Sequence, residues 1–413
     1  MKSKPFNISK ELVWEAWKSV RRNQGSAGID RESIEDFEKD LKGNLYKLWN
    51  RMSSGTYFPP PVMAVAIPKK QGGQRILGVP TVSDRIAQTV VKSVLEPEFE
   101  RVSLPDSYGY RPNKSAHDAI AITRKRCWQY DWVVEFDIKG LFDNLSWDLL
   151  MKALRHHTDC KWVLLFIERW LKAPMQSKDG ALTQRTKGTP QGGCVSPILS
   201  NLFLHYRFDL WMTREHQNIP WCRYADDGVL HCKSLAQAEF ILGRLRERFR
   251  QCGLELHPEK TRIVYCKDET RRQDYANTEF DFLGFTFRPR SAFSRTHGTL
   301  FTTFTPGVSN RAIKEMKYTI KYEWRLKSKT YLHLRDISRF ASPQIRGWIG
   351  YYGKFNVWAM KPVFNYIDDR LRRWAIRKYK RLFDHKTRAC DWLVRVYGTS
   401  PNLFPHWKIK GVY

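Results

Sequence analysis

The 413-residue sequence predicts an α+β fold, with antiparallel strands and helices in about its first three quarters and helices in the remainder. Three observations predict it. Short segments alternate apolar and polar residues around turn-forming glycines, as β-hairpins do. Longer segments repeat apolar residues every three or four positions, which is typical of amphipathic helices. The hydrophobic content of 42%, with 14% aromatic residues, is that of a folded chain.

The composition restricts the possible partners. Lys and Arg number 71 against 42 Asp and Glu, a net charge of +29, which favours nucleic acid or an anionic membrane surface. No apolar run approaches the ~20 residues that a membrane span needs. Because the charged start also has no apolar signal segment, we expect a cytoplasmic protein without a membrane partner. The eight scattered cysteines contain no Cys-x-x-Cys pair, which argues against a zinc ribbon or a disulfide framework.

Residues 1–56 are predicted to form a helical extension. Apolar residues recur at helical spacing before and after the turn-rich break NQGSAGID, residues 23–30. The next helix of this kind, SDRIAQTVVKSVLEPEFE, is expected to take Ser83 or Asp84 as its N-cap.

The segments VMAVAI and RILGV predict a hairpin whose turn is KKQGGQ. Its Lys69 and Arg75 can fold over a phosphate chain. The same residues would equally suit a soluble loop tip, and the hairpin alone favours neither interpretation.

Acidic residues occur at two apolar places in the chain. The strand WVVEFD ends at Asp137, and its alternation puts Glu135 and Asp137 on one face. In CRYADDGVLHC, Asp226 and Asp227 lie at the bend of a predicted hairpin, because Asp and Gly favour turns over strand interiors. Adjacent carboxylates raise each other's pKa unless a cation lies between them. The pair is therefore either an incidental turn that faces water or part of a metal site, and the motif alone leaves both open.

The segment KGTPQGGCVSPILSNLFLH predicts a rigid turn followed by an apolar helix that begins at Ser196 and Pro197. The glycines beside Gln191 would allow another backbone or a base pair to approach closely. An ordinary junction between a loop and a helix would account for the same residues.

The C-terminal region is strongly basic. Residues 306–413 contain 24 Lys and Arg against 7 Asp and Glu, a net charge of +17. Interleaved aromatic residues, such as Trp324 and Trp348, offer stacking surfaces of the kind that RNA and single strands use. In KPVFNYIDDRLRRWAIRKYKRL, apolar residues repeat at helical spacing and basic residues face elsewhere. We expect helices that bind RNA, although a solvated face over an aromatic core would give the same pattern.

Seven segments in a fixed order resemble the motif series of group II intron-encoded reverse transcriptase/maturases. They are IPKKQGGQRILGVPTVSDRIAQ, SYGYRPNKSAHDA, VVEFDIKGLFDNL, GTPQGGCVSPILSNLFL, RYADDGVL, LHPEKT and FLGFTF. The resemblance implies a right-hand polymerase fold, with fingers and palm over residues 57–295 and a helical thumb/maturase domain over residues 306–413. Many relatives add a nuclease domain with Cys pairs, and we expect no endonuclease domain here. His257 replaces an asparagine that is frequent in the family.

The resemblance also implies the roles of individual residues. Asp137, Asp226 and Asp227 would be catalytic and would hold two Mg²⁺ ions, whose hard oxygen ligands they supply. The residues expected to bind the nucleotide are Lys69 and Arg75 at the triphosphate, Phe142 as a gate against the ribose 2′-hydroxyl, Gln191 beside the nascent base pair, and Lys260 as a proton donor to pyrophosphate. The residues expected to bind RNA are Asn23, Gln24, Gly25, Arg111, Arg370, Arg373, Arg377 and Lys380.

The implied function is Mg²⁺-dependent copying of RNA into cDNA, together with binding of intron RNA to promote splicing and retrohoming. Its partners would be intron RNA, an RNA template with a DNA primer, dNTPs and target DNA. The protein would act as a monomer or homodimer in the bacterial cytoplasm or nucleoid. Two alternatives stay open: an RNA-binding splicing cofactor with a dormant polymerase, and a reverse transcriptase recruited to phage defence or CRISPR adaptation.

Overall fold

A computed structural model describes residues 4–68, 73–294, 296 and 298–410. The chain forms two compact units. The first contains Met1–Ala119 and Val134–Ile263, and the second contains Ile120–Val133 and Val264–Tyr413. The three sequence segments named above, with boundaries at residues 56, 295 and 306, stay a prediction.

Helices up to residue 250 follow the apolar periodicity of the sequence. In the first of them, Val13, Ala16, Trp17 and Val20 are buried on one face, as their spacing requires. A single π-helical turn, His205–Asp209, joins two helices into one continuous segment. The helices are α1 (Lys10–Asn23), α2 (Ile34–Lys39), α3 (Leu41–Ser53), α4 (Val82–Val102), α5 (Ala116–Cys127), α6 (Leu141–Asn144), α7 (Trp147–His157), α8 (Lys161–Lys172), α9 (Ser196–Leu204), α10 (Leu210–Glu215) and α11 (Leu235–Arg250).

The strands up to residue 265 form two sheets. They are β1 (Val62–Pro68), β2 (Gln74–Val79), β3 (Trp132–Asp137), β4 (Met175–Gln176), β5 (Leu182–Thr183), β6 (Trp221–Tyr224), β7 (Asp227–Cys232) and β8 (Arg262–Tyr265). One sheet has the order β2-β1-β4-β5, and β1 pairs with β2 as the predicted antiparallel hairpin. The other has the order β6-β7-β3-β8. Strand β3 is buried from Trp132 to Phe136, so its terminal Asp137 marks where the buried strand ends.

The second unit combines a small sheet with helices. Strands β9 (Phe280–Phe282), β10 (Phe285–Ser294) and β11 (Thr299–Val308) are antiparallel in the order β11-β10-β9. The helices are α12 (Asn310–Tyr318), α13 (Leu334–Asn356), α14 (Lys361–Lys378), α15 (Lys386–Thr399) and α16 (Pro405–Lys410), with short turns at Thr319–Glu323, Leu326–Ser328, Val357–Met360 and Lys380–Leu382. The predicted apolar stripe of α14, which includes Ile367, Leu371 and Trp374, is fully buried in the core of this unit. The predicted α+β fold class is confirmed.

One predicted N-cap is wrong. Helix α4 is capped by Thr81, whose hydroxyl accepts a hydrogen bond from the Asp84 backbone N–H at 3.2 Å. The Asp84 carboxylate is instead buried, and accepts from the Tyr57 hydroxyl at 2.7 Å and the Trp170 indole N–H at 2.6 Å. Burial raises the pKa of Asp84. The side chain therefore joins three separate elements rather than ending one of them.

Among the described residues, no helix is both long and apolar enough to cross a membrane.

Candidate active site

The hairpin of β6 and β7 carries the two adjacent aspartates, Asp226 in its turn and Asp227 at the start of β7. Tyr224 pairs with Asp227, which leaves only Ala225 and Asp226 to make the turn. Ala225 has a φ of 56°, in the left-handed region that residues other than Gly, Asn and Asp rarely adopt. Such strain persists only where surrounding contacts hold it. The turn is therefore tight and constrained. The predicted hairpin is confirmed, with Asp226 in its turn and Asp227 as the first residue of β7 rather than at the bend.

Asp137 lies beside this hairpin. The Ile138 backbone N–H donates to the Asp226 carbonyl at 3.1 Å, which ties the end of β3 to the turn. Burial first, and then the charges of Asp226 and Asp137, raise the pKa of Asp227 to about 7. Burial also raises the pKa of Asp226, and the charge of Asp137 adds to that effect. Three acids from two distant parts of the sequence thus share one site, where charge repulsion adds to the effect of burial on Asp226 and Asp227.

Two cationic side chains contact the acidic face of β3: Lys260, which precedes β8, and Arg262, the first residue of β8. Lys260 Nζ is 2.7 Å from Asp137 Oδ2, and Arg262 Nε is 2.8 Å from Glu135 Oε2. The acids are two residues apart on β3, as are their partners, so the alternation predicted from the sequence is present in both. Within the described ranges, no group of three or more His, Cys, Asp and Glu side chains is arranged as a preformed metal site.

Two glycines that sequence reasoning missed allow the hairpin to pack closely. A Cβ on Gly228 would lie 2.2 Å from Cζ of Phe136, and one on Gly109 would lie 2.4 Å from the Ala225 backbone nitrogen. Tyr110, the next residue along, is half exposed near Asp226; burial first and that charge next raise the pKa of its hydroxyl. The available signals were a glycine inside a strand and another inside SYGYRP, since both mark close approach of backbone.

The predicted nucleotide-binding residues of the turn and the hairpin are also in contact. The Gly78 backbone N–H donates to the Gln191 carbonyl at 2.7 Å, and the Arg75 guanidinium donates to the Gln191 side chain. Phe142 is buried, and its carbonyl accepts from the Thr189 backbone N–H at 2.7 Å. The positive charge of Arg75 acts to lower the pKa of Asp226, against the larger effect of burial, so Arg75 lies within electrostatic range of that carboxylate. The predicted Lys69 lies outside the described residues.

The predicted RNA-binding residues of the first unit have varied surroundings. Arg111 is 8% exposed and binds the Glu100 carboxylate at 2.6 Å and the Ser107 carbonyl at 2.7 Å, so its side chain holds a loop. Asn23 ends α1, and the Gln24 carbonyl accepts from Arg85 at 3.3 Å. Gly25 has a φ of 127°, and its backbone lies close to the guanidinium of Arg85. RNA binding by these residues stays a prediction.

In the second unit, the predicted basic residues lie along α14 and just beyond it. Arg373, Arg377 and Lys380 are all exposed, and Arg373 also pairs with Asp369 at 2.7 Å. Arg370 donates to the Tyr366 hydroxyl and lines a cavity of about 270 Å³. The other cations that line this cavity are Lys321, Arg325 and Lys327. The cavity thus gathers four cationic side chains, only one of which was singled out from the sequence.

Comparison with known proteins assigns the family. The family model described as "Reverse transcriptase (RNA-dependent DNA polymerase)" matches residues 67–287, more than half of the chain. The model described as "Group II intron, maturase-specific domain" matches residues 313–390. The chain therefore belongs to the reverse transcriptase family, in the form that carries a group II intron maturase domain. The predicted family, enzyme class and general function, RNA-directed DNA polymerase with maturase, are confirmed.

Curated relatives agree with this assignment. The chain is 32% identical over 278 residues to protein YkfC of Escherichia coli, an alignment that covers 58% of this chain and 73% of that protein. It is 31% identical over 203 residues to the group II intron-encoded protein LtrA of Lactococcus lactis, covering 48% of this chain and 33% of LtrA. A putative COX1/OXI3 intron 1 protein of Saccharomyces cerevisiae is 33% identical over 39% of this chain and 19% of its own length. The chain thus spans only a third or less of the two intron-encoded relatives.

Proposed function

We propose that this chain copies RNA into DNA by nucleotidyl transfer at Asp137, Asp226 and Asp227, and that its second unit binds intron RNA to promote splicing and retrohoming. The observation that carries the catalytic part is the meeting of these three carboxyl groups at the end of β3. Extension of a nucleic acid strand is phosphoryl transfer, in which catalysis consists of positioning and charge neutralisation. The wider proposal includes a template–primer, dNTPs and target DNA as partners, in the bacterial cytoplasm.

The donor chemistry of this site fits hard divalent cations. All three acids offer carboxylate oxygens, which Mg²⁺ prefers, and the proposal is supported by the neighbouring acidic charges that, after burial, raise the pKa values of Asp226 and Asp227. We assign two Mg²⁺ ions to Asp137, Asp226 and Asp227. When bound, such ions activate the primer 3′-hydroxyl and neutralise charge on the departing pyrophosphate.

The remaining residues of the site would orient the nucleotide. Arg75 carries a permanent positive charge toward the triphosphate, and its hydrogen bond to Gln191 ties that contact to the place of the new base pair. The backbone carbonyl of Phe142 accepts a hydrogen bond from the Thr189 N–H, which fixes the position of this residue. Its side chain would exclude a ribose 2′-hydroxyl. Lys260 holds its protons next to Asp137, where it can pass one to the leaving pyrophosphate.

Primer extension on an RNA template tests the catalytic part. Asp226→Asn keeps the shape of the side chain but removes a metal-binding charge, so we expect extension to fall at least about a hundredfold. RNA affinity should stay within a few-fold of the parent. Asp159→Asn, at an exposed aspartate of the same unit, is the matched control and should extend normally. Retained extension in Asp226→Asn would refute the assignment, and joint loss of RNA binding would show that the acid supports the fold instead.

The basic cavity of the second unit supports the RNA-binding part. Arg370, Lys321, Arg325 and Lys327 face one space of about 270 Å³, and none of the described residues that line it is acidic. Clustered cations release counterions when they bind phosphates, which makes affinity fall steeply with salt. The cavity lies within the segment that matches the maturase-specific domain. We therefore assign it to phosphates of the intron RNA.

Salt titration of RNA binding tests this cavity. Lys327→Gln with Arg370→Gln removes two of its charges, so the slope of log affinity against log salt should become shallower by about one to two. Arg339→Gln removes a charge from the same unit at a side chain that is 82% exposed and paired with Asp336, and serves as the control. Equal slopes for the cavity variant and the parent would contradict the assignment.

A further inference from the structure

A fully buried arginine lies directly beneath the catalytic turn. Arg223 is 0% exposed, and each of its five guanidinium N–H groups has an acceptor. Nε and Nη2 donate to the two Asp209 oxygens at 2.7 Å each. Nη1 donates to Asn201 Oδ1 and to the Ala225 carbonyl, both at 3.1 Å, and Nη2 also donates to Ser107 Oγ at 2.8 Å.

Burial of this ion pair in a hydrophobic core costs desolvation free energy. Both side chains of the pair are 1% exposed, and a charge in such surroundings is tolerated only with a well-aligned partner and satisfied hydrogen bonds. Apolar residues of similar volume often stabilise a core as well or better. Asp209 is moreover the last residue of the π-helical turn His205–Asp209, and such irregularities often occur at functional sites. General stability alone thus does not explain the pair.

The contact with Ala225 suggests what the pair does. Ala225 is the strained residue of the two-residue turn, and its carbonyl belongs to the peptide that leads into Asp226. A hydrogen bond to that carbonyl fixes the rotation of this peptide, and with it the direction in which Asp226 leaves the turn. Gly109 closes the turn from another side, where its own carbonyl accepts from Asn201 at 2.7 Å. Arg223 therefore joins the turn to the helix that carries Asp209.

We propose that Arg223, oriented by Asp209, is a positioning residue for catalysis: it holds Ala225 in its left-handed conformation, so that Asp226 and Asp227 face Asp137. The inference rests on the proposed catalytic role of those aspartates. Arg223 touches no reacting group, and its effect passes through the backbone of the turn.

The test compares kinetics with metal requirement. Arg223→Lys keeps the charge that balances Asp209 but cannot reach all five acceptors, since an ammonium has three protons in a compact geometry. We expect kcat of primer extension to fall about tenfold or more and the half-saturating Mg²⁺ concentration to rise several-fold. The KM for dNTP and the affinity for RNA should change by less than about twofold.

A matched variant removes the ambiguity of lost stability. Arg271 lies in the second unit, is 11% exposed, pairs with Asp268 and donates to the Cys127 and Tyr130 carbonyls, so Arg271→Lys loses comparable contacts. It should lower Tm without changing the Mg²⁺ requirement. If Arg223→Lys does not fold, Ser107→Ala removes one bond to the guanidinium and should raise the Mg²⁺ requirement about twofold.

Rescue gives the decisive result. Glycine adopts the left-handed conformation without strain, so Ala225→Gly in the Arg223→Lys background should recover much of kcat and of the Mg²⁺ affinity. Loss of kcat in proportion to the folded fraction, with an unchanged Mg²⁺ requirement and no rescue, would overturn the inference. If Asp226→Asn also extends primers normally, the proposed catalytic site itself fails. Loss of extension in Asp226→Asn alone would leave that site standing.

Discussion

The contact between Gly228 and Phe136 gives a quantitative prediction. Gly228 follows Asp227, one of the proposed catalytic aspartates, on β7, and a Cβ there would lie 2.2–2.9 Å from three atoms of the Phe136 ring. Both residues are buried, so neither can move into solvent. Overpacking of this kind costs about 1–3 kcal/mol of unfolding free energy. For a unit of this size, Gly228→Ala should lower Tm by about 2–4 °C for each kcal/mol, and the displaced strand should also reduce primer extension.

A double-mutant cycle tests the cause of that loss. Phe136→Leu shortens the ring that the new methyl group meets, and should cost about 1 kcal/mol alone. Because the two changes relieve each other, the double variant should be more stable than the sum of the single effects by about 1–2 kcal/mol. Thermal unfolding followed by circular dichroism gives all three values.

Gly243 supplies the control for this cycle. It lies within helix α11, and a Cβ there would meet no atom within 4 Å. Gly243→Ala should therefore raise the unfolding free energy by about 0.5–1 kcal/mol through helix propensity alone. If Gly228→Ala were as stable as Gly243→Ala, or if its loss were independent of Phe136, the reasoning from close packing would be refuted.

Two further predictions concern the nucleotide and the acids. Phe142→Val should reduce discrimination against ribonucleotides at least about tenfold in competition between rNTP and dNTP, whereas unchanged selectivity would exclude a gate. Without divalent cations, stability should fall as pH rises from 4 through 7, because folded Asp227 binds its proton up to a pKa of about 7 and an unfolded aspartate releases it near 3.8. That difference corresponds to about 4 kcal/mol. In urea titrations from pH 4 to 8, Asp227→Asn should lose much of this dependence and gain stability over the parent at pH 8; a parent that is equally stable across that range would contradict the raised pKa.

Local rules explain why the sequence predicted the hairpins and the acidic site. Alternation assigned Glu135 and Asp137 to one face of β3, and turn chemistry assigned Asp226 and Asp227 to a bend, where the structure places Asp226. The ordered motifs then indicated that the two places meet. Lys260 was assigned from its motif alone, and its ion pair with Asp137 agrees with a place in the site.

Residues whose partners are distant in sequence could not be predicted in this way. Asp84 is a residue type that N-caps favour. Its carboxylate is nevertheless buried, because it accepts hydrogen bonds from Tyr57 and Trp170, which are 27 and 86 positions away. From the sequence, Arg223 is one polar residue of a predicted strand, because no local pattern indicates its buried ion pair with Asp209. Arg111 has the charge expected of an RNA-binding residue, but Glu100 occupies its guanidinium. Propensity and charge are local properties, whereas these partnerships arise only when separate elements pack.

The attachment of β2 to the turn that contains Gln191 has a consequence for substrate choice. Gly192, at a φ of 121°, lets the turn lie against the Gly78 carbonyl, where a Cβ would stand only 2.5 Å away. Together with the hydrogen bond from the Gly78 N–H to the Gln191 carbonyl, this contact joins two sides of the proposed nucleotide site, so that they should move together. If Arg75 binds the triphosphate and Gln191 lies beside the base pair, as proposed, a movement that weakens the first contact should also displace the second. Fidelity and nucleotide affinity in this enzyme should therefore change together, for all four bases alike.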